Sequence, residues 1–552
     1  MSLISDGITN ILLKTQMALV KHGLWGEFLE QTKTPLKIQK RLLFKQLDQN
    51  QTTRYGKEHH FSKIRTIEEF KKNVPINQYE DLEPYFDQNE SRTETGLTQE
   101  RPSLYLQTSG TTDRPKNIPL TNSAAEELKN SQTLFAFAHH QGIQGIYKGK
   151  LLTISGMRVE GKLENGKAYG SMSGMISHSM PFILKSKYVV PNAVLRVSDY
   201  QLKYLMIAAL GLKERDITWM VSANPSTFFK ILEVMENNLD SLIKLLDTGD
   251  TTNLPAGFKQ ISTRRFRAKK DRVQELKTLS RSSPLSFSRI WPNLKAVTTW
   301  TGGNCGLLLT RLENLLARET RITELGYIAT EFRGSVLVDT KNNTCVPAIT
   351  ENFYEFIEPD RWNSGSVETM TLDQVEVGKQ YYVIVTTRSG LYRYFINDIV
   401  EITGKFNQTP TIKFVQKGKG ITNLTGEKLT EFQVLKAMES IPCMTKLDEY
   451  FFLLIGDPGT LQYRLYIEIP PRPDISKNLD QELSNLNIEF ASKQKSGRLL
   501  PTKVFFLTPG CGEAYKQQAI AGGQRESQYK TIYLQYLTDC NFDFEPYIIS
   551  ST

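Results

Sequence analysis

Between residues 108 and 116 the chain reads Thr-Ser-Gly-Thr-Thr-Asp-Arg-Pro-Lys. Ser109, Gly110, Thr111 and Thr112 are small, so backbone N–H groups can close around an anion, while hydroxyls add donors and Lys116 adds charge. The Gly-x-x-x-x-Gly-Lys-Ser/Thr spacing of the common P-loop is absent, which disfavours a P-loop kinase or GTPase. By itself the string also describes an ordinary Ser/Thr turn ahead of a helix. A second group is Gly326-Tyr-Ile-Ala-Thr-Glu331. Glu331 offers a hard oxygen suited to a divalent cation such as Mg²⁺, with phosphates completing the shell. Tyr327 offers an aromatic face for a base, although a glutamate at a turn is more simply a solvated carboxylate. The third group is Leu391-Tyr-Arg-Tyr394 running to Asp398. A carboxylate there can accept from both hydroxyls of a ribose. Arg393 is equally a ligand contact or an ion-pair partner inside the fold.

These residues need elements to hold them. Leu104, Tyr105 and Leu106 predict a short strand leading into the Ser/Gly/Thr segment, and Asn122 to His140 predicts a helix after it. Strand–loop–helix order is the α/β signature. Lys150–Ile154 and Ala296–Trp300 read as further buried strands. Tyr381–Thr387 is β-branched and aromatic throughout and is the strongest strand in the chain. Helical patterns fall around 200–212, 225–247 and 266–280, and Thr66 ahead of Glu68 and Glu69 marks a helix start. Met1 to Leu29 reads as an amphipathic helix, not a signal peptide. After Phe414-Val415 the segment 416–420 is short, polar and glycine-rich, which suits a hinge. The following stretch carries a helix start near Thr430 and strands at Tyr450–Ile455, Tyr463–Ile469 and Lys503–Leu507. The expected domains are 1–415, a hinge at 416–420, and a smaller, mobile α+β domain at 421–552.

Composition narrows the class. The chain has 552 residues, 39% hydrophobic and 23% charged, with a net charge of +9. That length suits two or more domains. The mild positive excess fits anionic ligands without arguing for nucleic acid. The basic run Arg264–Lys270 reads as a solvated helix face in preference to a nucleic-acid contact. Five widely spaced cysteines make neither a zinc ribbon nor a disulfide framework, and reduced thiols in a cytoplasm are the simplest reading. The six histidines show no metal spacing. No apolar run reaches the roughly 18 residues of a membrane span.

Taken together, Thr108-Ser-Gly-Thr-Thr-Asp-Arg-Pro-Lys-Asn-Ile-Pro-Leu-Thr121 resembles the first nucleotide motif of the auxin-responsive Gretchen Hagen family of acyl-acid amido synthetases, in its bacterial form. That family belongs to the luciferase-like adenylate-forming superfamily. Tyr55–Phe61 and Val74–Leu82 are similar to its N-terminal region. Trp291–Val297 with Trp300, Gly302 and Gly303 resembles its central strand and loop, Gly326–Glu331 its second motif, and Leu391–Asp398 its third. The motifs are in order and span nearly the whole chain.

The resemblance implies an α/β enzyme with a large N-terminal adenylating domain and a smaller α+β domain. It implies ATP and Mg²⁺, a carboxylic acid activated as acyl-AMP, and an amine acceptor, an amino acid. Carried over residue by residue, Ser109, Gly110, Thr111, Thr112 and Lys116 hold phosphates. Thr330 and Glu331 serve phosphates and metal, and Asp398 holds ribose. Gly302, Gly303, Tyr327 and Arg393 complete the nucleotide site. Lys417 in the hinge reaches the α-phosphate as the small domain moves. Gln528-Tyr-Lys-Thr531 resembles the family segment whose lysine assists adenylation, making Lys530 the candidate and Lys516 a weaker one. The flexible stretch 171–177, before His178, is a candidate wall of the acyl pocket, although a loop histidine is the commoner case.

The chain departs from the pattern at four places. Asp113 and Asn397 each replace a glycine, Phe395 stands where a polar residue is common, and Ile532-Tyr533 replaces Pro-Arg. Two alternatives stay open: an acyl-CoA ligase sharing the adenylation step, and a nucleotide-binding protein that has lost catalysis.

Overall fold

A computed structural model describes residues 2–86, 95–107, 116–252, 254–255, 257–258, 266–281, 284–363, 368–418, 420–441, 444, 450–521 and 533–552. The chain divides into two compact units: Leu309–Gln416 closes the larger, and Lys417–Thr552 forms the bulk of the smaller.

In the larger unit, four strands, Lys150–Thr153, Ile217–Val221, Ala296–Thr299 and Arg321–Glu324, form a sheet in which every neighbouring pair is parallel. Parallel strands need crossovers, and helices Tyr200–Lys213, Ser226–Asn237, Leu239–Thr248, Lys270–Leu279 and the short Leu309–Glu313 lie in them. Ala296 to Thr299 is buried at each position, as expected of a sheet covered on both faces. A second sheet pairs Leu104–Gln107 with Asn117–Leu120 antiparallel and with Ala168–Gly170 parallel. A third runs Asn352–Ile357, Gln380–Thr387, Tyr394–Phe406, Thr409–Lys417. Gln380–Thr387, the strongest strand signal, occupies an interior position with seven buried residues in succession.

Local signals are obeyed closely. Thr66 accepts from Glu69 N while the Glu69 side chain accepts from the Thr66 backbone, a complete capping box. Thr430 and Gln433 make the same arrangement in the smaller unit. That unit holds a five-stranded sheet, ordered Leu534–Tyr536, Phe452–Asp457, Gln462–Ile467, Leu500–Leu507, Ile548–Ser551. Helices Glu431–Ser440, Ile475–Leu486 and Ile488–Lys495 accompany it, and Val434, Leu465, Leu479, Phe490 and Val504 share its core.

Three features add detail that the local pattern did not contain. The amphipathic N-terminal helix is interrupted by a π-helical turn at Lys21–Trp25. The stretch 171–177 is not a flexible loop: Ser171 accepts from Gly174 N at 3.1 Å and caps a helix, Met172–Ser179, which includes His178. Gln416 and Lys417, at the start of the expected hinge, end the last strand of the third sheet, and the division into two units falls between them in the chain. A polar, glycine-rich string gives no warning of this, because a sheet ladder adds hydrogen bonds that local propensity does not contain.

Candidate active site

Asp398 lies in the strand Tyr394–Phe406 and is 2% exposed. Its strand pairs irregularly with Gln380–Thr387: Ile384 opposes Phe395, but Tyr382 opposes Ile399. The surplus residues bulge, and a bulge re-aims side chains. Asn397 sits in it at φ +57°. That left-handed conformation is open to glycine and, among L-residues, most readily to Asn and Asp. The replacement of glycine by Asn397 therefore keeps the backbone route to Asp398. Phe395 is equally accounted for, since it stacks on Trp362 at 4.1 Å.

Of the two readings open for Arg393, the structure shows the ion pair. Its Nε and Nη2 donate to the two carboxylate oxygens of Glu355 at 3.0 and 2.9 Å. Nη1 donates to the carbonyls of Lys71 and Val74, and Nη2 also to Thr369 Oγ1. A guanidinium has five N–H groups, and these contacts use all five. Here the N-terminal motifs find their purpose. Asn77 N donates to Arg393 O at 3.0 Å, and Phe395 N donates to Asn77 O at 2.8 Å. Asn77 Nδ2 donates to Tyr55 Oη, and Tyr55 stacks on Tyr392 at 5.2 Å. The two N-terminal segments thus brace the strand that carries Asp398.

Tyr327 is likewise engaged inside the fold. Its ring stacks on Phe414 at 5.8 Å and meets Phe332 edge-on. Gly334 presses so close that a Cβ there would lie 2.2 Å from the ring. The ring is therefore packed among these neighbours and is 7% exposed. Its hydroxyl donates to Asp398 Oδ2 at 2.7 Å. Burial and then the Asp398 charge hold the Tyr327 hydroxyl well above the usual tyrosine range, so it remains a donor.

Glu331 and Thr330 form the tip of a tight turn closed by an Ile328–Arg333 bridge and by Ala329 N donating to Phe332 O at 3.0 Å. Both side chains are half-buried. Tyr394 Oη, at the start of the Asp398 strand, donates to Glu331 Oε1 at 3.5 Å. The second and third motifs are thus linked twice, Tyr327 to Asp398 and Tyr394 to Glu331. Gly302 and Gly303 follow the Ala296–Thr299 strand. A Cβ on them would come within 2.5 Å of Phe414 O and 2.8 Å of Val415 O respectively, and Gly303 has φ +57°. Close backbone approach explains both glycines. Lys116 immediately precedes strand Asn117–Leu120, and Lys417 ends strand Thr409–Lys417; both are half-buried. Lys516 is on helix Cys511–Ala521. Ser109, Gly110, Thr111, Thr112, Asp113 and Lys530 lie outside the described residues.

Glu324, which no sequence motif marks, ties two loops together. Its carboxylate accepts from Thr301 N and from Gly326 N, each at 2.8 Å. Nor does any motif mark Arg333 and Glu351. Beside Glu331, the larger unit holds a partly open cavity whose walls include Leu106, Leu120, Met172 and Phe332 together with Arg333 and Glu351. Arg333 is 2% exposed and Glu351 7% exposed. No periodicity distinguishes a buried arginine from a surface one, so only packing reveals them. Among the described residues, no three His, Cys, Asp or Glu side chains cluster as metal ligands, and no helix is long and apolar enough to cross a membrane.

Family models match three consecutive regions of the chain: a GH3 family N-terminal domain at residues 25–320, a GH3 family central domain at 345–417 and a GH3 family C-terminal domain at 432–535. The chain is 25% identical over 507 residues to an indole-3-acetic acid-amido synthetase GH3.15 of Arabidopsis thaliana, covering 84% of each chain. It is 23% identical over 501 residues to a 4-substituted benzoates-glutamate ligase GH3.12 of Arabidopsis thaliana, covering 84% of this chain and 86% of the relative. A solved GH3.15 acyl acid amido synthetase superposes with TM-score 0.65 at 22% identity, covering 95% of this chain and 96% of the other. A 2-hydroxyisobutyryl-CoA ligase superposes with TM-score 0.51 at 11% identity, over 92% and 90% of the two chains. These likenesses establish the adenylate-forming fold.

Proposed function

The chain belongs to the GH3 family, and we propose from that premise that it is an ATP-dependent ligase joining a carboxylic acid to an amino acid. In the first step a carboxylate oxygen of the acid attacks the α-phosphorus of ATP. The bond to the bridging oxygen breaks, and pyrophosphate leaves. In the second step the amine nitrogen of an amino acid attacks the acyl carbon, AMP departs, and the nitrogen loses its proton. The adenylate is already activated, so positioning and charge stabilisation do most of the catalytic work.

The observation that carries the reading is the buried Asp398 carboxylate, held at 2.7 Å by Tyr327 and braced by the Arg393–Glu355 pair. In this reading Asp398 receives the ribose hydroxyls, with Tyr327 and Arg393 as positioning residues. Ser109, Gly110, Thr111, Thr112 and Lys116 take the phosphates, Thr330 and Glu331 face the same phosphates, and Gly302 and Gly303 let the backbone come close. Lys417 and Lys530 supply cations as the smaller unit moves. The oxygen donors at the Glu331 turn fit Mg²⁺, which usually takes one or two carboxylates and completes its shell with phosphates and water. When bound, it neutralises phosphate charge. Buried, unpaired Cys345 and Cys511 suit a reducing cytoplasm.

The test is ATP–pyrophosphate exchange over a panel of carboxylic acids, followed by addition of amino acids or coenzyme A. Acid-dependent exchange and an amide product formed without coenzyme A are expected. Formation of an acyl-CoA, or no exchange with any acid, would overturn the reading.

A further inference from the structure

Arg333 is the oddest charged residue in the larger unit. It is 2% exposed, yet neither Nη1 nor Nη2 has a hydrogen-bond partner among the described residues. Its Nε donates to Ser335 O at 3.0 Å, and its guanidinium carbon lies 5.6 Å from the Phe135 ring centroid. A buried guanidinium normally fills all five N–H positions, as Arg393 does nearby. Glu351 faces the same cavity, 7% exposed, without a hydrogen bond to Arg333. Burial raises its carboxyl to about 8, against the lowering influence of Arg333. Two further charges on the wall, Arg388 and Glu127, already pair at 3.0 Å.

The cavity therefore presents an arginine fork and a carboxylate that do not satisfy each other, among polar and apolar side chains. Leaving such groups unmade is costly, so they point to a ligand that meets both. We propose that this cavity is the subsite for the amino-acid acceptor. Its α-carboxylate takes the two free Nη groups of Arg333, and its ammonium faces Glu351. A lone carboxylic acid suits the cavity less well. Such an acid would answer Arg333 and leave Glu351, on the same wall, without a counterpart. Glu331 on the same wall places the amino acid beside the turn where the phosphates are read to bind. The raised Glu351 carboxyl is also suited to receive the proton that the nitrogen must lose before attack. This assignment rests on the ligase reading above.

The experiment separates the two half-reactions. Pyrophosphate exchange is measured with acid and ATP alone, and amide formation is measured with L-amino acids and with the same amino acids as α-amides, which lack the carboxylate. In the wild type, free amino acids should outperform their α-amides by on the order of 10–100-fold in kcat/KM, the worth of a charge-assisted hydrogen-bonded contact. In Arg333→Met the amino-acid KM should rise by a similar factor and the preference over α-amides should collapse towards one, while pyrophosphate exchange falls far less. Glu351→Gln, nearly isosteric, should retain the carboxylate preference and lose amide-forming rate at neutral pH. It also guards against a folding failure of Arg333→Met, which a melting curve identifies. Equal loss of exchange and amide formation in both variants, or an unchanged preference for free amino acids in Arg333→Met, would overturn the subsite. If the wild type shows no exchange with any acid, the ligase reading has failed instead. Thermal stabilisation by L-amino acids but not by α-amides, abolished in Arg333→Met, then still supports the cavity, and its absence sinks it.

Discussion

Replacing Tyr327 with Phe removes one oxygen atom and leaves the packing in place. The ring keeps its stack on Phe414 and its edge contact with Phe332. What is lost is the donor 2.7 Å from Asp398 Oδ2. Both residues are buried, so water does not readily replace it. A hydrogen bond to a charged acceptor contributes about 1.5–3 kcal/mol. The larger unit should lose stability of that order, read as a lower urea midpoint at unchanged slope. If Asp398 holds the ribose, releasing it should also weaken ATP binding, and about 1.4 kcal/mol corresponds to tenfold. ATP-dependent pyrophosphate exchange should then show ATP KM raised roughly tenfold with kcat nearly kept, the pattern of lost uniform binding. Burial and the Asp398 charge raise the Tyr327 hydroxyl above its ordinary value of 10.0. A raised acid contributes its stability below the unfolded value and loses it as pH climbs towards the folded one. The defect of Tyr327→Phe should therefore be the same at any pH from about 6 to 9. Wild-type urea midpoint and wild-type ATP KM in this variant would refute both the placement of the donor and the ribose role of Asp398.

Three further outcomes follow from the same geometry. Arg393→Met should destabilise the larger unit by about 3–5 kcal/mol because Glu355 is left as an unpaired buried charge. Combining it with Glu355→Met should recover part of that in urea denaturation, and no recovery would argue against the pair. Burial raises the Glu351 carboxyl from 4.5 to about 8, so the folded state binds the proton more tightly than the unfolded chain. Stability should be fully present below about pH 4.5 and fall as pH rises towards 8, and Glu351→Gln should flatten that slope in midpoints compared at about pH 5.5 and 8. Asn397 at φ +57° should accept glycine with little change, whereas Asn397→Val should cost on the order of 1–3 kcal/mol and raise ATP KM, because the bulge aims Asp398.

Much of the fold was legible in local pattern. Aromatic and β-branched runs marked Tyr381–Thr387 and Ala296–Trp300. Thr66 and Thr430 marked helix starts, because a cap is decided within four residues. The order of the motifs, and Glu331 and Asp398 within them, could likewise be read along the chain, since each rests on residue type and short spacing. Identity at a position did not reveal what a side chain touches. Arg393 and Tyr327 stand inside ligand-like motifs but spend their polar groups on Glu355, on the Lys71 and Val74 carbonyls and on Asp398. Those partners lie from 38 to 322 residues away, beyond any periodicity. Arg333 and Glu351 gave no signal at all, because burial without a partner is a property of packed neighbours. Sequence alone determined the strands, the caps and the chemical types available. Tertiary structure decided which charges are spent holding the site and which remain to meet a ligand, since desolvation and pairing depend on what the fold brings within hydrogen-bond reach.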